Sequence, residues 1–142
     1  MSENRIVVET RPERVFAVLA DPDRYAEWVL GAARVRDADS AWPDPGSLLH
    51  HSTGTGPLTI DDSTEVVECE PPHRLVLLAR LGPLGAFRVE LDLVPEGDSS
   101  TLVTMSEAPV EGLSKLAGPV GDAAGAVRNK LSLRALKRLA EA

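Results

Sequence analysis

The sequence predicts an α+β fold in which a curved, seven-stranded antiparallel sheet wraps around one long C-terminal helix. The final stretch, 121–142, is rich in Ala, Leu, Lys, Arg and Glu and contains no proline, which favours a helix about 30 Å long. Most of the chain before it consists of short β-branched or alternating segments separated by Gly, Pro, Asp and Ser. Such segments are typical of an antiparallel meander.

The elements before the long helix follow in a simple order. A β-branched segment at 5–9 predicts the first strand. Residues 11–28 predict two short helices that meet at Asp21-Pro22, because Asp21 suits an N-cap and Pro22 suits the first helical position. Six further strands are predicted at 33–39, 47–52, 58–69, 74–81, 86–94 and 101–107. The clearest alternation places Phe87, Val89, Leu91 and Leu93 on one face.

The last helix is expected to start near Asp122, because Gly118-Pro119 is expected to break any earlier helix. Apolar side chains at a spacing of three or four residues predict the face that packs on the sheet. This predicted face consists of Val120, Ala124, Val127, Leu131, Ala135 and Leu139. Leu133 and Leu136 lie off it and, if exposed, would support a homodimer.

A cavity between the sheet and the last helix is expected, because one helix cannot fill the concave side of a large twisted sheet. Cavities of this kind hold small ligands. The apolar lining is predicted to come from Leu77, Phe87, Val89, Leu91, Met105, Val127 and Leu131.

Composition excludes several classes of function. The 142 residues fit a single domain spanning 1–142, and a net charge of −7 argues against a general nucleic-acid surface. Cys69 is the only cysteine, so no disulfide can form within the chain. No window suits a signal peptide or a membrane span. We therefore expect a cytoplasmic protein that neither binds nucleic acid nor inserts stably into a membrane.

Few residues suggest catalytic chemistry. His50 and His51 are adjacent on a predicted strand, so one ring faces inward and the other outward. We take His50 as the inward ring, a cavity donor or general base, and Asp62 as a second weak catalytic candidate. The ordinary alternatives are a hydrogen-bonded strand histidine and a solvated carboxylate. No metal-binding spacing is present, so no metal is expected, and no nucleotide or redox cofactor is implied.

Three segments carry a resemblance to a known family. They are RPERVFAVLADPDRYAEW at 11–28, DSTEVVECEPPHRL at 62–75 and GDSSTLVTMSE at 97–107. Together with the last helix they resemble the polyketide cyclase/dehydrase family of the SRPBCC or START-like superfamily. The resemblance implies the helix-grip fold over nearly the whole chain. It also implies that Trp28 lies near the mouth of a ligand cavity.

Three functions follow as hypotheses. Members of the superfamily bind lipids, hormones, pigments or polyketides, so the first is binding of a hydrophobic or aromatic small molecule oriented by Trp28, His50 or an arginine. The second is a polyketide aromatase/cyclase or dehydratase in which His50 and Asp62 move protons near a carbonyl. The third is a non-catalytic interaction protein whose cavity is filled by its own side chains. A fold by itself does not decide between them.

Overall fold

The computed structural model of the chain describes residues 1–29, 32–53, 60–82 and 85–142. Within these residues, seven strands form one antiparallel sheet in the order β1-β7-β6-β5-β4-β3-β2. The strands are β1 (Ser2–Val8), β2 (Ala32–Ala38), β3 (Leu48–Thr53), β4 (Ile60–Glu70), β5 (Arg74–Arg80), β6 (Ala86–Glu96) and β7 (Ser100–Glu111). The predicted α+β, helix-grip architecture is confirmed.

The helices lie where the sequence places them, between β1 and β2 and at the C-terminus. Helix α1 (Pro12–Leu19) is joined to α2 (Tyr25–Trp28) by a 3-10 turn, and α3 is the long helix Gly118–Glu141. Asp21 caps the turn by accepting a hydrogen bond from the Asp23 amide at 3.0 Å. Among the described residues, no helix is long and apolar enough to cross a membrane.

The strand predictions hold to within a few residues. The alternation along β6 is confirmed, because Val89, Leu91 and Leu93 are buried on one face. The main difference is at β7, which continues to Glu111 while it pairs with the full length of β6. The first two residues of the predicted fourth strand, 58 and 59, lie outside the described residues.

Helix α3 begins earlier than predicted, at Gly118 rather than near Asp122. Pro119 is tolerated there because the first amide groups of a helix have no partner within the helix. Asp122 instead accepts a hydrogen bond from the amino group of Met1 at 2.6 Å. The residue expected to cap the helix therefore joins it to the N-terminus of the chain.

The buried face of α3 differs from the predicted face. Val120, Val127 and Leu131 are 80%, 63% and 43% exposed. The buried side consists of Gly125, Asn129, Ser132, Leu133, Ala135, Leu136 and Ala140. Three of these positions are glycine or polar. A face predicted from apolar residues alone is therefore rotated about the helix axis relative to the observed buried face. Leu133 and Leu136 belong to the core and offer no surface to a dimer.

Polar contacts fix α3 along the edge strand β1. The Asn4 side chain donates to the Ala126 carbonyl at 3.1 Å, and Lys137 Nζ donates to the Val7 carbonyl at 2.9 Å. Between them, buried Asn129 lies 3.4 Å from the hydroxyl oxygen of Ser2. The helix is thus held at one side of the concave face, and space remains between it and the strands on the other side.

Candidate functional site

A cavity of about 130 Å³ lies between the middle of α3, helix α2 and the concave face of the sheet. An apolar cavity of about 150 Å³ is large enough to hold benzene. The enclosed space therefore suits a group about the size of one ring. The lining consists of Tyr25, Trp28, Val29, His51, Leu77, Ala79, Leu81, Phe87, Val89, Met105, Glu107, Arg128, Asn129 and Ser132.

Part of the predicted lining borders this cavity. The residues placed there as expected are Trp28, Leu77, Phe87, Val89 and Met105. Leu91 is fully buried in the core and is not part of the lining. Val127 and Leu131 are on the outer side of α3, because the helix is rotated relative to the prediction, and their predicted positions in the lining are wrong.

The inward histidine is His51, not His50. Leu49 and His51 are only 0% and 2% exposed, so they occupy the inner face of β3, and strand alternation sends His50 to the other face. His51 Nε2 lies 2.9 Å from Oγ1 of Thr64 on the neighbouring strand β4. The predicted inward position of His50 is therefore wrong, although the sequence correctly indicates that one ring of the pair faces inward.

Asp62 is not part of the cavity lining. Its carboxylate accepts hydrogen bonds from the amides of Ser63, at 2.8 Å, and of Gly82. The bond from Gly82 ties β4 to the residues that follow β5. Asp62 pairs with His51 across the two strands, but its contacts with backbone amides are structural.

Tyr25 and His51, which line the cavity, form a hydrogen-bonded set with Thr64. The Thr64 hydroxyl lies 2.9 Å from both the Tyr25 hydroxyl and His51 Nε2. The Tyr25 and His51 rings are stacked, with centroids 5.5 Å apart. Burial raises the pKa of Tyr25, so its phenol keeps its proton at neutral pH. The Tyr25 side chain therefore presents a neutral phenol to the cavity.

A second polar set in the cavity lining is an ion pair between β7 and α3. Arg128 Nη2 donates to Oε1 of Glu107, and the guanidinium carbon lies 5.8 Å from the centroid of the Phe87 ring. The Glu107 side chain is only 10% exposed, and burial raises the pKa of its carboxyl group. Arg128 and a hydrogen bond from Asn129 act against that rise.

The sequence contains a signal for Glu107 but not for Arg128. Val103 and Met105 are buried on β7, and alternation extends their face to Glu107. Arg128 lies on a helix whose buried face includes glycine and polar residues, so periodicity does not indicate which way it points. Its position depends on contacts with residues far away in the chain.

Two further observations bear on cofactors and spare donors. Among the described residues, no group of three or more His, Cys, Asp or Glu side chains is arranged to hold a metal ion.

The indole nitrogen of Trp28, which borders the cavity, is buried and has no hydrogen-bond partner in the part of the chain that the structure describes. A buried donor without a partner costs about 1–3 kcal/mol.

The sequence matches a family over nearly its whole length. Residues 2–142 match the family described as polyketide cyclase / dehydrase and lipid transport. The chain belongs to this family. The match to the polyketide cyclase/dehydrase family agrees with the resemblance drawn from the three sequence segments. No curated protein sequence matches the chain.

Solved structures share the fold of this polyketide cyclase/dehydrase family member. CV1439 from Chromobacterium violaceum is 18% identical with a TM-score of 0.72, and the match covers 100% of this chain and 99% of that one. CalU16 from Micromonospora echinospora is 20% identical with a TM-score of 0.69, covering 97% and 74%. The di-domain ARO/CYC BexL from the BE-7585A biosynthetic pathway is 17% identical with a TM-score of 0.69, covering 99% and 49%. Identities this low establish a common fold.

Proposed function

We propose that this protein binds a small apolar or aromatic molecule in the cavity between the sheet and α3. The observation that carries the proposal is a cavity of about 130 Å³ whose lining is mainly apolar and whose polar side chains form two hydrogen-bonded sets. Burial of apolar surface contributes about 25 cal/mol per Å², and polar groups at fixed positions orient the ligand. A family description that includes lipid transport supports this proposal.

The cavity volume limits what the site can enclose. Typical pockets for drug-sized ligands are about 300–1,000 Å³, well above the 130 Å³ found here. A single ring or a short branched chain fits this volume, whereas a fused multi-ring molecule does not. The enclosed ligand, or the enclosed part of a longer one, is therefore about one ring in size.

Binding can be tested with acetophenone, which has one ring and one carbonyl oxygen. Saturation-transfer NMR and calorimetric titration should show saturable binding to the wild-type protein. Ala79→Phe places a ring in the cavity and should abolish binding without unfolding the protein. Val94→Phe adds the same ring at a position that is 53% exposed and should leave binding unchanged.

The outcome separates binding from the alternative of a protein with a filled cavity. Saturable binding that Ala79→Phe removes and Val94→Phe preserves supports the proposal. Absence of binding to the folded wild-type protein, for acetophenone and for toluene as a second probe, would overturn it. The cavity would then be a packing defect in a protein that acts through its surface.

A second candidate function is proton transfer next to a carbonyl, as in an aromatase/cyclase or dehydratase. The observation that favours it is that His51 and Glu107 both line the mainly apolar cavity. Either could accept a proton from a carbon next to a carbonyl, and Tyr25 or Arg128 could donate a hydrogen bond to the carbonyl oxygen. The neighbour BexL carries an ARO/CYC title, which is consistent with this candidate.

Deuterium exchange tests this candidate without knowledge of the natural substrate. A base next to bound acetophenone should speed exchange of its methyl protons in D₂O, measured by NMR. Glu107→Gln and His51→Gln, made separately, identify the base by reducing the exchange rate while acetophenone still binds. If the wild-type protein binds acetophenone but exchange proceeds at the buffer rate, the enzyme candidate is rejected and the binding proposal stands.

A further inference from the structure

A second cavity lies under the first half of α3. Its volume is about 330 Å³, and it lies between this part of the helix and strands β1, β6 and β7. We name it the outer groove. Its lining consists of Ser2, Phe87, Glu107, Pro109, Ala117, Gly118, Gly121, Asp122, Ala124, Gly125 and Arg128. The inner cavity described above lies under the middle of the same helix.

The inner cavity and the outer groove meet at three side chains. Phe87, Glu107 and Arg128 belong to the lining of both. Arg128 pairs with Glu107 and lies over the Phe87 ring. These three side chains, which contact one another, form the partition between the inner cavity and the outer groove. The Arg128 side chain is 34% exposed, so the junction between the two spaces is partly open to solvent.

Arg128 has donors to spare at this junction. A guanidinium has five N–H groups and no acceptor. Only Nη2 has a hydrogen-bond partner among the described residues, and that partner is Glu107. An oxygen atom passing the partition would therefore meet N–H groups that the ion pair does not use. Because Glu107 is buried beside them, a neutral oxygen fits better than a second carboxylate.

We propose that the inner cavity and the outer groove form one elongated site, divided at Arg128. This inference rests on the proposed ligand-binding function and adds the class of ligand. The ligand has a head of about one ring in the inner cavity and an uncharged oxygen acceptor at Arg128. A mainly apolar tail lies in the outer groove, against Phe87, Pro109 and Ala124.

The test uses a series of alkyl phenyl ketones from acetophenone to octanophenone, titrated calorimetrically. The phenyl ring fills the inner cavity, the carbonyl oxygen meets Arg128 and the alkyl chain enters the outer groove. Each buried methylene contributes about 0.8 kcal/mol, so affinity should rise up to roughly fourfold per added carbon until the groove is full. Ala124→Trp, which fills the groove, should remove this rise while acetophenone still binds.

Ala123→Trp is the matched control, since Ala123 is exposed and is not part of the groove. It should reproduce the wild-type rise with chain length. If acetophenone binds but longer ketones bind no better, the elongated site is refuted and the binding function stands. A rise that persists in Ala124→Trp would equally refute it. If no ketone binds, the binding function itself fails.

A second comparison tests the hydrogen bond from Arg128. Butyrophenone and butylbenzene differ only by a carbonyl group in place of a methylene at the predicted position of the oxygen. The wild-type protein should prefer the ketone by about tenfold, a typical effect of a hydrogen bond from a charged donor. The double variant Glu107→Gln/Arg128→Met, which leaves no lone buried charge, should bind both compounds about equally. Retention of the preference in the double variant would refute the role of Arg128.

Discussion

The two halves of α3 meet the sheet in different ways. In the C-terminal half, Leu133, Leu136 and Ala140 are at most 2% exposed and pack directly into the core. In the N-terminal half, the residues that face the sheet are glycine, alanine, asparagine and arginine, and the inner cavity and outer groove lie beneath them. The same helix thus closes the core at one end and leaves space at the other.

The difference shows how one element can serve both stability and binding. Close packing of large apolar side chains supplies most of the free energy of folding, and it leaves no room for a ligand. Small and polar side chains leave room, but they contribute little burial. In this protein the polar contacts with β1 hold the N-terminal half in place instead, through Asn4 and Asn129.

The largest expected effect comes from shortening a packed side chain in the C-terminal half. Leu136→Ala should lower the free energy of unfolding by about 2–5 kcal/mol, since it leaves a cavity in the core. Leu131→Ala, at a position that is 43% exposed, should change it by no more than about 0.5 kcal/mol. Urea unfolding measures both. A larger loss for Leu131→Ala than for Leu136→Ala would mean that the hydrophobic stripe in the sequence, and not the observed face, is the buried one.

An intermediate effect on the free energy of unfolding, dependent on pH, is expected at Glu107, which pairs with Arg128 in the N-terminal half of α3. The pKa of Glu107 is raised in the folded protein, so its contribution to stability is fully present below the ordinary pKa of glutamate. It is lost as the pH rises through the folded-state pKa, because the folded protein then gives up a proton that the unfolded chain has already lost.

Glu107→Gln stays neutral throughout and avoids this loss. Its stability relative to the wild-type protein should therefore improve as the pH rises across that range, as measured by urea unfolding at a series of pH values. The pairing with Arg128 is already included in the folded-state pKa of Glu107. Only the difference between a protonated carboxyl group and an amide adds an offset that does not vary with pH. A difference that is constant with pH would show that the pKa of Glu107 is not raised in the folded protein.

The smallest effect on the free energy of unfolding is expected at Glu141, at the end of the C-terminal half of α3. Its dependence on pH is opposite in sign to that of Glu107. Hydrogen bonds from Lys137 and from the Glu9 amide lower the pKa of Glu141. Its contribution is therefore present above the ordinary pKa of glutamate and is lost as the pH falls through the lowered value. Glu141→Gln should cost only about 0.2–1 kcal/mol at neutral pH, and the cost should vanish in acid. A cost that grows in acid would contradict this assignment.

Sequence patterns were sufficient to predict the strands and helices and the side chains that β6 contributes to the cavity lining. Alternation placed Phe87 and Val89 on the concave face, and both border the inner cavity. The same rule applied to β7 leads to Glu107. The pattern of the histidine pair showed that one ring faces inward, but strand register, fixed by the buried neighbour Leu49, decided that this ring is His51.

Contacts between distant parts of the chain decided the rest. The buried face of α3 includes Asn129 because Ser2 lies opposite it, and Arg128 turns toward the cavity because Glu107 is buried there. The sequence by itself determined a seven-stranded sheet, two short helices and a long one, since local periodicity reports which residues alternate between water and core. Only the tertiary structure decided which polar residues are buried together, because a buried polar group is stable only beside a partner, and these partners lie far apart in the chain.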